Sequence, residues 1–123
     1  MNEILGKKRE NRQAAQYTDK IPFIADIILN STDKNIIQKV YLFGSYAYGV
    51  PTEESDIDIF VITDVVFDRL TVYGNMMGAL RKNGLCSCDL IVSNEADFQK
   101  GIQKNIRGIE NTIIKQGRLL YEQ

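Results

Sequence analysis

Residues 56–62 constrain this chain more than any other stretch. Ile57, Ile59 and Val61 fall in one register, and Asp56, Asp58 and Phe60 in the other. A period of two is a strand's, and it sends three branched apolar side chains to one face. That face demands a packed layer, so the strand belongs to a sheet with a core on it. The opposite face carries two carboxylates at i and i+2. Aspartate is depleted in strands because desolvating it is costly. Two on one face, a few ångströms apart, raise each other's pKa unless a cation lies between them. A hard divalent ion removes the conflict, because carboxylate oxygens are what Mg²⁺ prefers. An edge strand with a solvated polar face accounts for the same two aspartates equally well.

The flanking sequence supplies the layers. Thr18 or Asp19 caps an expected helix, Pro22 suits its first turn, and Ile24, Ile27 and Ile28 recur at helical spacing. Strands are expected over 39–43 and 85–92, a glycine-bounded turn over 44–49 and a loop over 50–55. A helix over 67–82 ends at Asn83-Gly84 and presents Leu70, Val72, Tyr73, Met76, Met77 and Leu80 to the core. One or two helices follow over 96–116, with Gly101 and Gly108 as breaks, and a short strand over 118–121. The expected architecture is a small α/β (α+β) domain, a mixed sheet with helices mainly on one face. Its extent is 18–123, preceded by a polar helical extension over 1–17.

Composition excludes whole classes of chemistry. The 123 residues contain no histidine, which removes Ser-His-Asp and Cys-His hydrolases, His-ligated zinc and His acid–base catalysis. A net charge of −1 argues against direct binding of nucleic acid through bulk positive charge. Cys86 and Cys88 are one residue apart, too close for a CxxC pair or an unstrained bridge, and are expected as two buried small residues in a reducing compartment. The first dozen residues lack the apolar core of a secretion signal, and no run suits a membrane span, so a cytoplasmic location is expected.

The charge map then favours a cation site. No basic residue lies between Lys39 and Arg69, while Glu53, Glu54, Asp56, Asp58, Asp64 and Asp68 all do. An anionic substrate needs metal ions to approach that region. Glu53 and Glu54 read as loop solubility. A third carboxylate, Asp89, lies on the next expected strand, with Cys86, Cys88, Leu90 and Val92 on the opposite face. If the two strands are neighbours, Asp56, Asp58 and Asp89 share one face. Three carboxylates there can hold two metals roughly 3.5–4 Å apart, the arrangement used for in-line phosphoryl or nucleotidyl transfer. Upstream, the turn Gly44-Ser45-Tyr46-Ala47-Tyr48-Gly49 offers backbone N–H groups and a hydroxyl to phosphate. It lacks the Lys-Ser/Thr of a Walker A loop.

Gly44-Ser45, ten residues, then Asp56-Ile57-Asp58 resembles the signature of the DNA polymerase β-like nucleotidyltransferase superfamily. Residues 41–61 resemble its minimal nucleotidyltransferase (MNT) branch. Asp89-Leu90-Ile91-Val92 is similar to the third-carboxylate strand of that family, and Gly117-Arg118-Leu119-Leu120-Tyr121 to its C-terminal ending. The resemblance implies a polymerase β-like core and transfer of a nucleoside monophosphate from a triphosphate, ATP by default, with two Mg²⁺ ions. It implies that Gly44 and Ser45 hold the β- and γ-phosphates. Asp56, Asp58 and Asp89 would ligate metal, with Asp89 also taking the acceptor's proton. Tyr48 stands where many relatives carry arginine, and Tyr46 where a basic residue is common, so phosphate neutralisation falls to metals or to bases elsewhere. Lys100, Lys104, Arg107, Lys115 and Arg118 read first as a solvated face, second as a basic wall.

MNT proteins resemble the antitoxins of two-gene systems whose partners are helical HEPN proteins, which they inactivate by transferring AMP to tyrosine. That is the leading expectation. A small-molecule acceptor, as in antibiotic nucleotidyltransferases, is the second, and a nucleotide-binding module that masks its partner the third. Oligomeric state, including a homo-oligomer, stays open.

Overall fold

The computed structural model describes residues 15–123. Most of the expected extension over 1–17 therefore lies outside the described residues. Tyr17, however, is only 2% exposed and belongs to the core, so the folded unit includes a residue ahead of the expected boundary at 18.

A 3-10 helix, Thr18–Phe23, runs into α1, Ile24–Ser31. The chain continues through β1 (Ile37–Phe43), a short α2 (Ser45–Tyr48), β2 (Ile57–Thr63) and α3 (Arg69–Lys82). It ends through β3 (Cys88–Asn94), α4 (Glu95–Lys104), α5 (Ile109–Gln116) and β4 (Arg118–Glu122). The four strands form one mixed sheet in the order β3-β2-β1-β4. β1 is antiparallel to both β2 and β4, whereas β2 and β3 are parallel, joined by a crossover through α3. No helix among the described residues is long and apolar enough to cross a membrane.

The period-two pattern sorts the core into two clusters. Ile57, Ile59 and Val61 pack with Ile24 and Ile28 of α1 and Met76, Met77 and Leu80 of α3. Tyr41, Phe60 and Ile62 point the other way and pack with Phe98 of α4 and Ile113 of α5. Helices thus cover both faces, with the larger cluster under α1 and α3.

Several boundaries moved for local reasons. α3 begins at Arg69 because the Asp68 side chain accepts the Thr71 N–H at 3.1 Å and caps it. β3 begins at Cys88 rather than 85, because Gly84 turns back at φ 90° and the Leu85 N–H closes onto the Leu80 carbonyl at 2.9 Å. Gly101 lies inside α4 rather than breaking it; its bare Cα lets Glu110 of α5 lie against the helix. Leu70, expected in the core, is 80% exposed; it lies in the first turn of α3, in an open concavity that it lines with Tyr73 and with Leu90, Ile91 and Val92 of β3. Cys86 is likewise exposed and Cys88 half-buried, both as free thiols.

Candidate functional site

Strand register builds the site. Phe43, the last residue of β1, pairs with Asp58, and Asp58 pairs with Asp89. One row across three strands therefore carries two carboxylates side by side, at roughly the 4.8 Å spacing of neighbouring strands. Gly44 follows Phe43 at φ 71°, ψ −156°, a conformation open essentially to glycine alone. It has a second reason to be glycine: a Cβ there would overlap the Asp58 carboxylate. The turn and the strand carboxylate are thus in direct contact. α2 starts at Ser45, and its first N–H groups, like those of any helical turn, have no partner within the helix. Its later amides return to Gly44, with Ala47 N and Tyr48 N at 3.0 and 3.1 Å from the Gly44 carbonyl.

Electrostatics mark Asp58 as the centre of the cluster. Burial, then the charges of Asp89 and Asp56, then a hydrogen bond with Asp89, push its carboxyl up to about 6. Among the described residues the one ion pair joins Lys39 to Glu122 at 3.5 Å, so no basic side chain among them neutralises the cluster at contact distance. The Cys88 thiol is pushed up to about 12 by burial and then by Asp58, Asp89 and Asp56, which leaves it protonated and inert at neutral pH.

Asp56 stands one residue ahead of β2 and is exposed. Its Oδ1 accepts a hydrogen bond from Ser87 Oγ. Among the described residues no three His, Cys, Asp or Glu side chains already form a metal cage. The donor chemistry nonetheless fits a hard divalent cation: carboxylate oxygens on one side of the sheet, the pKa of the central one raised by its burial and next by the nearby charges of Asp89 and Asp56.

Other expected contributors fall elsewhere. Tyr46 is buried, and its hydroxyl accepts the Tyr17 N–H at 3.1 Å, so it belongs to the core and not to a phosphate. Tyr48 is 45% exposed on the outside of the turn. Glu53 and Glu54 are exposed, as loop solubility requires, and Lys100, Lys104, Arg107, Lys115 and Arg118 are all exposed. Ser87 is the polar contact that sequence reasoning missed. Its spacing of two from Asp89 was the available signal, because it places the hydroxyl on the carboxylate face.

Residues 26–123 match the family model described as polymerase beta, nucleotidyltransferase. A Methanocaldococcus jannaschii protein provisionally named a protein adenylyltransferase is 39% identical over 93 residues, which is 76% of this chain and 87% of that one. Among solved structures, a chain from the complex of tri-AMPylated Shewanella oneidensis HEPN toxin with MNT antitoxin superposes at TM-score 0.54 and 20% identity, covering 86% of this chain and 73% of that one. A chain from a toxin–antitoxin structure with AMP-PNP gives 0.52 at 24% identity, covering 80% and 73%. A Sulfolobus solfataricus protein provisionally described as a nucleotidyltransferase gives 0.52 at 19% identity, covering 88% and 82%. At these identities the solved structures show a shared fold.

Proposed function

The chain belongs to the polymerase β nucleotidyltransferase family, and from that premise we propose that it is a Mg²⁺-dependent protein adenylyltransferase, moving AMP from ATP onto a hydroxyl of a HEPN-type helical partner as the antitoxin of a toxin–antitoxin pair. The observation that carries the reading is the row that sets Asp58 beside Asp89 and against Gly44, with no basic side chain among the described residues in contact with it. The relative named for protein adenylylation and the likeness to a chain from a complex with an AMPylated HEPN toxin support the choice of acceptor. So does exposure. Asp56 and Asp89 are both exposed, as a macromolecular acceptor requires.

In this reading Asp56, Asp58 and Asp89 would hold two Mg²⁺ ions, which supply charge neutralisation of the triphosphate and polarisation of the α-phosphoryl group. The Gly44-Ser45 turn binds the β- and γ-phosphates through backbone N–H groups and the Ser45 hydroxyl, which fixes the α-phosphorus for in-line attack. The acceptor oxygen bonds to the α-phosphorus as its bond to the pyrophosphate oxygen breaks. Pyrophosphate leaves with the electron pair, and the acceptor's proton passes to Asp89.

The test is transfer of label from α-phosphate-labelled ATP, with Mg²⁺ and the HEPN-type partner, by wild type and by Asp58→Asn. Label on the partner is expected at catalytic rather than stoichiometric amounts of protein. It should fall by at least about 100-fold in the variant, the scale of losing one electrostatic stabiliser, with the circular dichroism spectrum unchanged. Equal labelling by the variant, or label found only on a small molecule, overturns the assignment.

A further inference from the structure

The two halves of the site, the turn and the carboxylate row, are tied together by a residue outside both. Tyr17 is 2% exposed, and its ring lies 6.0 Å from that of Tyr46. Its backbone N–H donates to Tyr46 Oη at 3.1 Å, and its own Oη accepts the Ser87 N–H at 3.0 Å. Ser87 is held in two further ways. Its carbonyl accepts the Ile57 N–H at 3.0 Å, and its Oγ donates to Asp56 Oδ1. Tyr46 is the next residue after Ser45 in the turn. A relay of hydrogen bonds therefore runs from the turn to a carboxylate: Tyr46, Tyr17, Ser87, Asp56.

Packing alone does not call for this arrangement. Phenylalanine fills a buried aromatic position as well as tyrosine does, and a buried phenol must find a partner. Here the partner is the amide of the residue whose side chain orients Asp56, and the amide of Tyr17 itself reaches the turn. We propose that Tyr17 is a positioning residue for the nucleotide site, setting the spacing between the Gly44-Ser45 turn and the Asp56–Asp58–Asp89 cluster through Tyr46 and Ser87. The proposal rests on the reading of that cluster as a cation and nucleotide site.

Three variants cut the relay at different links. Tyr17→Phe keeps the ring and the N–H and removes only the bond to Ser87. Ser87→Ala removes the partner of Asp56 at an exposed position where folding is not at stake. Tyr46→Phe frees the turn. Binding of Mn²⁺ alone, and of Mn²⁺ with the non-transferable α,β-methylene analogue of ATP, is measured by calorimetry on the full chain. Amide exchange of Ser87 is followed in the ligand-free protein. Tyr17→Phe and Ser87→Ala should weaken Mn²⁺ about tenfold or more, the scale of losing a hydrogen-bond partner behind a metal ligand, and Ser87→Thr should restore it. Tyr46→Phe should weaken the nucleotide analogue more than Mn²⁺ alone, and Ser87 exchange should quicken in Tyr17→Phe. If the variants lose only melting temperature and bind both probes as wild type does, Tyr17 is a brace of the core and the proposal falls. If wild type itself binds no Mn²⁺, the reading of the cluster falls first and takes the proposal with it.

Discussion

Gly44 and Asp58 occupy their places only because one of them has no side chain. The backbone at Gly44 lies at φ 71°, ψ −156°, and a Cβ there would stand 2.9 Å from Asp58 Cγ. Gly44→Ala therefore meets two penalties. The backbone conformation alone costs about 1 to 3 kcal/mol, and the new methyl group must displace the carboxylate that the site is built around. The expected outcome is a loss of stability of that size in urea denaturation, together with loss of transfer. Ala47→Gly in the same turn serves as a control that adds no volume beside Asp58. If Gly44→Ala transfers AMP like wild type, the contact between turn and carboxylate has no part in function.

At the scale of elements, the legible features were those set by local periodicity. Ile57, Ile59 and Val61 announced a strand with a buried face, and the structure buries all three completely. The pairing of Asp58 with Asp89 followed only if β2 and β3 were neighbours, which the register shows and the residues by themselves do not. What stayed hidden depended on tertiary contacts. Leu70 has the right helical spacing for the core but lies exposed in an open concavity beside β3, and Cys86 has strand spacing but sits in the loop before β3. Phe60, an aromatic on the carboxylate face, was the readable sign of the second cluster under α4 and α5. The junction of β3 with α4 allows a test that separates fold from site. Asn94 caps α4 by accepting the Asp97 N–H at 2.9 Å, at the opposite end of β3 from Asp89. Asn94→Ala should lower stability by about 1 kcal/mol and leave the transfer rate at saturating substrate unchanged, as read by urea midpoint and labelling assay on the same preparation. A loss of rate far larger than that of stability would mean that α4 takes part in the site.

On the scale of the whole molecule, the site destabilises the fold that carries it. The Asp58 carboxyl sits at about 6 in the folded chain against 3.8 ordinarily, chiefly because it is buried and next because Asp89 and Asp56 are close. Between those values the folded state keeps a proton that the unfolded state gives up. The contribution of Asp58 to stability in the metal-free protein therefore falls as pH rises from about 4 to 6 and is level above that window. Asp58→Asn removes the charge and should melt higher than wild type at pH 7.5, with the gap closing as pH approaches 4. Ligand should reverse the order. Mg²⁺ with the α,β-methylene analogue of ATP, at about 100 times its Kd, adds about 2.7 kcal/mol to the folded state that binds it. Wild type should gain that increment and Asp58→Asn should not, so the two melting curves exchange places when ligand is added. A variant that gains as much as wild type would place the nucleotide away from Asp58. A variant that melts no higher than wild type without ligand would mean that the charged Asp58 carboxylate costs the fold nothing, neither through its burial nor through its nearness to Asp89 and Asp56, and with that the physical reason for a cation there would be gone.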